Sequence, residues 1–199
     1  MFGFIFTDVN ISPSVLNYLL KKNVEDTFNA ITVDGDTSTN DMVLLFSTNK
    51  SKNKIITNKN SKEAKIFEKK LHSVMLNLAK QVAIDGEGAK KFITINITNS
   101  KNKNLAKTIG FSIANSPLVK TAIAAGDPNW GRIIMAIGKA DTSINKDKIS
   151  LKIGGFLIFK NGEIAKNYKE AEVKDCMQEK DIVIDVDMGS GKGNFSVYT

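Results

Sequence analysis

The residues with the greatest chemical potential lie in a polar corner, residues 126–132, between two apolar runs. This corner holds the chain's only tryptophan, Trp130, and its only arginine, Arg132. A guanidinium group can pair bidentately with a carboxylate or brace several carbonyl groups. Two interpretations stay open, since Trp130 and Arg132 either pack and cap the corner or contact a substrate. Three residues of the corner are candidate scaffold residues of a site: Asp127, Asn129 and Arg132.

A second polar row, residues 32–41, separates two apolar segments. Its alternating carboxylates resemble a calcium-binding EF-hand loop, but Thr39 stands where that loop needs glycine and Leu45 where it needs glutamate. The row therefore predicts short side chains that cap backbone groups, with the wall of a cleft as the alternative. Three of its residues are further scaffold candidates: Asp34, Asp36 and Asn40.

Glu87 is the candidate contact residue with the clearest geometric argument. It stands between Gly86 and Gly88, and neither neighbour has a side chain that would block a ligand. The alternative is that the two glycines serve only the turn after a long helix.

Metal and phosphate chemistry have little support in the sequence. One histidine, His72, and one cysteine, Cys176, cannot assemble a zinc or iron–sulfur site. The glycine-rich residues 189–193 resemble a phosphate-binding loop, but Val186 replaces the first required glycine. We therefore expect no metal and no bound cofactor.

The formal charge of +7 is concentrated in residues 49–120, where lysines are interspersed with asparagine and serine. Nucleic-acid recognition favours arginine and interleaved aromatic residues, so a basic nucleic-acid-binding module is only an alternative interpretation. The lone cysteine, the lack of a membrane-length apolar run and the lack of a signal peptide predict a cytoplasmic protein without a membrane partner.

Hydrophobic periodicity predicts the elements that position these residues. Buried strands are expected at residues 3–7, 42–47 and 119–125, and further strands at 92–97, 149–153, 156–160, 163–165 and 182–187. Helices are expected at residues 12–22, 23–31, 61–84, 104–115, 133–140 and 170–177. The inner face of the long helix is predicted to consist of Ile66, Phe67, Leu71, Val74, Met75, Leu78 and Val82.

Four of these stretches together resemble one family. Residues 28–41, 85–89, 116–122 and 127–132 closely match the bifunctional ornithine acetyltransferase, or glutamate N-acetyltransferase, of arginine biosynthesis. The resemblance covers the whole chain in order. It implies an α+β fold with layered sheets and helices, shared with the N-terminal-nucleophile aminopeptidases (DmpA-like).

The resemblance also implies a mechanism and partners. A precursor cleaves itself before a threonine, and this sequence resembles the β chain, with that nucleophile placed just before Met1. The hydroxyl takes acetyl from N-acetylornithine, with acetyl-CoA as an additional candidate donor, and glutamate accepts it. Glu87 is the substrate-binding residue, and the α chain of the same precursor completes an α2β2 heterotetramer.

Three expectations follow from that resemblance. The chain should be a β-chain portion of one catalytic unit, truncated at both ends, with a smaller C-terminal subdomain at about residues 145–199. It should be inactive alone, because its catalytic threonine is missing. A related N-terminal-nucleophile aminopeptidase is the rival enzyme, although residues 127–132 argue against it.

Overall fold

A computed structural model of the chain describes residues 1–199 and shows an α+β fold. The chain divides into two compact units. The first unit contains residues 1–31 and 36–82, and the second contains residues 32–35 and 83–199. None of the helices is both long enough and apolar enough to cross a lipid bilayer.

The first unit is a two-stranded parallel sheet with helices on one face. Its elements are β1 (Phe2–Thr7), α1 (Pro13–Val24), a 3₁₀ turn (Phe28–Ala30), β2 (Met42–Ser47) and α2 (Lys62–Ile84), whose last two residues belong to the second unit. Ser12 accepts a hydrogen bond from the Val15 amide and Pro13 occupies the first turn, so α1 starts where the sequence predicts. The helical region predicted over residues 23–31 is only the end of α1 and the 3₁₀ turn.

Burial in the first unit differs from the prediction. β1 and β2 are strands, but Ile5 is the only residue of β1 that is buried, and none of β2 is. On α2 the buried positions are Ala64, Leu71, Met75, Ala79 and, in the second unit, Ala83, whereas Ile66 and Val74 are about half exposed. The core packs around small alanines at helical spacing, which a search for large side chains overlooks.

The second unit is built on a six-stranded mixed sheet in the order β6-β5-β4-β7-β3-β8. Its strands are β3 (Phe92–Ser100), β4 (Ser150–Ile153), β5 (Phe156–Lys160), β6 (Glu163–Ile164), β7 (Asp181–Asp187) and β8 (Gly193–Tyr198). Asn161 and Gly162 both have positive φ, as expected of the type I′ turn between β5 and β6. The expected subdomain at residues 145–199 stays a prediction, and its strands share this sheet with β3.

Four helices complete the second unit: α3 (Lys103–Ala114), α4 (Pro117–Ala124), α5 (Trp130–Ala140) and α6 (Glu170–Cys176). α3 packs against β3, β8 and α5. The predicted strand at residues 119–125 is wrong, because this run forms α4. Ser116 caps it by accepting a hydrogen bond from the Val119 amide, and Val119, Ala122 and Ile123 are buried at helical spacing.

Candidate functional site

Glu87 lies in the turn that follows α2. The Gly86 amide donates to the Ala83 carbonyl over 3.3 Å, and the Ala89 amide donates to the Gly86 carbonyl over 2.9 Å. A Cβ atom at Gly86 would lie 2.9 Å from Cγ1 of Val33, and Gly88 has a φ of +73°. Both glycines therefore have a structural role, one in close packing and one in the turn, and the Glu87 side chain stays exposed.

This turn forms one wall of a cavity of about 430 Å³ in the second unit. The cavity lies between the end of α2, the start of β3, the segment around Val33 and the outer face of α4. It combines a carboxylate with lysine side chains on an otherwise apolar surface. Its lining residues are Val33, Ala83, Glu87, Gly88, Ala89, Lys90, Lys91, Ile93, Lys120, Ile123, Ala124 and Thr199.

Lys120 projects from α4 and is anchored at the cavity wall. Its Nζ donates a 2.6 Å hydrogen bond to the Val33 carbonyl oxygen. Burial lowers the pKa of this ammonium group, and the negative charge of Asp34 opposes that shift. The Asp34 side chain is exposed and lies outside the cavity lining, so its charge acts on the Lys120 ammonium group from outside the apolar surface.

The Thr32–Gly35 segment is fixed to the second unit by main-chain and side-chain bonds. The Thr32 amide donates to the Tyr198 carbonyl over 3.0 Å. The Thr32 hydroxyl donates to Oδ1 of Asn115, at the end of α3, over 2.7 Å. This segment therefore holds Val33 in place, and Val33 in turn contacts the Glu87 turn and Lys120.

Asp36 and Asn40, the other polar-row candidates, belong to the first unit and are exposed. The Asn40 amide donates to the Ser38 hydroxyl over 3.2 Å, and its Oδ1 accepts from the Thr39 hydroxyl over 3.4 Å. The structure places neither of them among the residues that line the Glu87 cavity.

The corner at residues 126–132 joins α4 to α5. Oδ1 of Asn129 accepts a hydrogen bond from the Arg132 amide and caps α5, and Nδ2 of Asn129 donates to Oδ2 of Asp127 over 3.2 Å. The void beside Asp127 and Asn129 is only about 10 Å³, which leaves no room for a substrate. These two side chains therefore organise a helix start.

Trp130 and Arg132 have the packing and capping geometry that the sequence left open. The Trp130 ring stacks on Phe159 with a centroid separation of 5.7 Å. Nη1 of Arg132 donates to the Leu118 carbonyl over 2.8 Å and to the Thr121 hydroxyl over 3.0 Å. The guanidinium thus ties α5 to α4, and neither residue lines the Glu87 cavity.

Sequence reasoning did not identify Lys120 and Thr199 as cavity residues. The sequence contained an indication for Lys120, because a lysine within the apolar run of α4 must either lie on the outer face of the helix or pair with another polar group. Thr199 gave no such signal, since its position depends on the main-chain hydrogen bonds that it exchanges with Ile93. No group of three or more His, Cys, Asp or Glu side chains lies close enough to hold a metal ion.

Comparison with known proteins gives consistent matches along the whole chain. The profile of the ArgJ family matches residues 1–199. The chain is 46% identical to the arginine biosynthesis bifunctional protein ArgJ of Bradyrhizobium diazoefficiens and 43% identical to that of Zymomonas mobilis. Each alignment covers 100% of this chain and 49% of the relative, so the chain spans about half the length of these curated relatives.

A solved structure is similar as well. The chain superposes on the crystal structure of the arginine biosynthesis bifunctional protein ArgJ from Bacillus halodurans with a TM-score of 0.94 and 38% sequence identity. This match covers 100% of the chain and 92% of the crystallised chain. The residue motifs, the α+β fold and these matches lead to one conclusion: the chain belongs to the ArgJ family.

Proposed function

We propose that this chain forms the substrate-binding part of an enzyme that moves an acetyl group from N-acetylornithine to glutamate. The observation that carries the proposal is the Glu87 cavity, in which a carboxylate and a half-buried lysine face one mostly apolar space. Membership of a family whose relatives are named arginine biosynthesis bifunctional proteins supports it. Glu87 pairs with the ammonium group of the bound amino acid.

The nucleophile in this proposal is the N-terminal threonine implied by the family resemblance, which is not among these 199 residues. Its own α-amine takes the hydroxyl proton, so no histidine is required. The acetyl group moves to the threonine oxygen and ornithine leaves with that proton. The glutamate amine then attacks the ester, becoming N-acetylglutamate and restoring the hydroxyl. Acetyl-CoA is a second candidate donor, and no bound cofactor takes part.

A second chain completes the proposed enzyme. One face of the β1–β2 sheet carries Phe2, Phe4 and Phe6, which are 65%, 54% and 69% exposed. Met42, Leu44 and Phe46 stand opposite them in register. Such a contiguous apolar patch is typical of a protein interface. We assign it to the α chain of the same precursor, within an α2β2 heterotetramer.

The lengths of the relatives support this assignment. Curated ArgJ proteins are about twice as long as this chain, whereas the crystallised ArgJ chain is nearly matched in length. That difference is expected if the family's precursor is cleaved into two chains of similar size.

The partner proposal is tested with the native gene product, tagged on the chain described here. We expect the untagged chain to co-purify with wild type and to be lost in Phe4→Lys. Ile66→Lys is the matched control, because Ile66 is 56% exposed on α2, away from the phenylalanine face. A gene product that remains one uncleaved chain, or Phe4→Lys retaining its partner, would overturn the two-chain assignment.

The activity is tested by following acetyl transfer from N-acetylornithine to labelled glutamate with the same gene product. In Glu87→Gln the shape is kept and the charge is lost. Because a hydrogen bond to a charged group contributes roughly 1.5–3 kcal/mol, KM for N-acetylornithine should rise ~10- to 100-fold with little change in kcat. Glu163→Gln, on exposed β6, should leave KM unchanged.

Each result has a separate meaning. If wild type transfers acetyl but Glu87→Gln has the wild-type KM, Glu87 is not in the site. If wild type instead hydrolyses peptides and transfers no acetyl, the aminopeptidase reading replaces the acetyltransferase.

A further inference from the structure

The Glu87 cavity contains more positive than negative charge. Glu87 is the single carboxylate side chain of its lining, whereas Lys90, Lys91 and Lys120 bring three ammonium groups to it. A ligand that offers only an ammonium group would satisfy Glu87 and leave the three lysines without a further carboxylate side chain in the lining, although Asp34 acts on Lys120 from outside it. The charge of the lining therefore points to a ligand that also carries a negative group.

The three lysines differ in how they are held. Lys90 is an exposed side chain in the loop before β3. Nζ of Lys91 donates to the Met177 carbonyl, which draws this ammonium group towards the end of α6. Only Lys120 is half-buried on a helix, with its Nζ fixed at the cavity wall by the Val33 carbonyl.

Lys120 is also preorganised to bind. An ammonium group has three N–H donors, and the Val33 carbonyl accepts one of them and fixes the position of the nitrogen. Ser116 caps α4, and the Thr32 bonds to Tyr198 and Asn115 hold the segment that carries Val33. A donor whose position is already fixed loses little conformational entropy when an anion binds.

We propose that Lys120 binds the carboxylate that the two amino-acid substrates share, so that Glu87 and Lys120 together form a subsite for the two charged ends. N-acetylornithine carries one ammonium and one carboxylate group, and glutamate carries one ammonium and two carboxylates. Lys120 thus serves the donor in the first half-reaction and the acceptor in the second. Glu87 pairs with the side-chain ammonium group of N-acetylornithine, because the single amine of glutamate must be free to attack the ester. This inference rests on the proposed acetyl transfer and adds the anion-binding residue to it.

The test compares Lys120→Gln with wild type in the native gene product. Glutamine removes the charge and keeps an N–H donor on a side chain that is one atom shorter. We expect KM for both N-acetylornithine and glutamate to rise ~10- to 100-fold, since a charged hydrogen bond is lost from each complex. Lys139→Gln makes the same charge change at an exposed position outside the cavity, and it should change each KM less than 3-fold, as an exposed charge contributes little.

A decarboxylated donor separates binding from structural damage. N-acetylputrescine is N-acetylornithine without its carboxylate, so wild type should prefer N-acetylornithine strongly in kcat/KM. Lys120→Gln should reduce that preference ~10-fold or more, whereas general damage to the fold would lower both activities together. Lys120→Arg, which keeps the charge, should retain most of the preference even if Lys120→Gln proves too unstable to assay.

The outcomes distinguish the two proposals. If wild type transfers no acetyl from N-acetylornithine to glutamate, the proposed function fails. If wild type does so and Lys120→Gln keeps both KM values and the substrate preference, Lys120 does not bind the carboxylate. If Lys120→Gln cannot be assayed, Lys120→Arg decides. Wild-type KM values in Lys120→Arg support the proposal, whereas equal use of N-acetylornithine and N-acetylputrescine by this variant overturns it.

Discussion

Gly110 in α3 provides the sharpest test of the packing that supports the cavity. It is buried, and a Cβ atom added there would lie 2.7 Å from Cγ2 of Val197 on β8. Its next neighbours, Cγ1 of Ile97 and Cβ of Val197, would lie at an ordinary 3.6 Å. A single methyl contact therefore decides whether alanine fits.

The expected free energies have opposite signs in two backgrounds. Overpacking a core costs about 1–3 kcal/mol, whereas replacing glycine by alanine inside a helix gains about 1 kcal/mol. Gly110→Ala should therefore destabilise the wild type by roughly 0–2 kcal/mol. In a Val197→Ala background the clashing methyl is gone, and the same change should stabilise by about 1 kcal/mol.

Thermal unfolding of the native gene product measures both differences. For a domain of this size, 1 kcal/mol corresponds to a shift in Tm of about 2–4 °C. The coupling energy of the double-mutant cycle should be about 1–3 kcal/mol. A coupling below about 0.5 kcal/mol, with the same sign in both backgrounds, would refute the argument that α3 and β8 meet at this methyl.

Three further predictions concern the corner and the cavity. Arg132→Gln should lower Tm by a few degrees, because it breaks the hydrogen bonds to Leu118 and Thr121, and it should leave KM unchanged. If its Tm equals that of the exposed control Lys139→Gln, Arg132 does not stabilise the contact between α4 and α5. Asn129→Ala should destabilise by about 0.5–2 kcal/mol through loss of the α5 cap, measured by denaturant unfolding, and an unaltered midpoint would argue against it. Burial lowers the pKa of Lys120 below 10.5, so between its folded-state pKa and 10.5 the unfolded chain binds more protons than the folded chain. Wild type should therefore gain stability relative to Lys120→Gln as the pH rises through that window. Parallel pH–stability curves of the two proteins would exclude this lowered pKa.

The sequence was sufficient for elements with local start and stop signals. Ser12 and Pro13 correctly predicted the start of α1, and Asn161-Gly162 correctly predicted the β5–β6 hairpin. Ser116 and Pro117 carry the same helix-start signal, but the apolar run that follows them predicts a strand, and this prediction is wrong. At this position the capping serine and the first-turn proline indicate the observed helix, whereas a short apolar run alone fits either a strand or a buried helix.

Burial was harder to predict than element type. Phe2, Phe4 and Phe6 are hydrophobic enough to be assigned to a core, yet only Ile5 on the opposite face of β1 is buried. Period-2 alternation predicts two faces of a strand but not which face is covered. Which neighbours cover a face depends on tertiary contacts that local patterns do not contain.

The candidate site was predictable only in part. Glu87 could be proposed from its flanking glycines, and the structure places it in a cavity, although the glycines themselves serve packing and the turn. Lys120 is brought there by the helix that was misassigned, so its position could not be inferred. The role of Arg132 stayed open until its two acceptors on α4 were visible.

The parallel pairing of β1 with β2 has a consequence for how the molecule behaves in solution. Each strand of a two-stranded sheet satisfies its main-chain groups on one side only, and the outer side of each strand offers amide and carbonyl groups to any extended segment nearby. Until those outer sides are covered, concentrated protein is prone to add strands from other copies. The refolding yield should therefore fall as the protein concentration rises. Lysine substitutions on the edge strand β2 should restore the yield, because charged side chains on an edge strand oppose the addition of further strands.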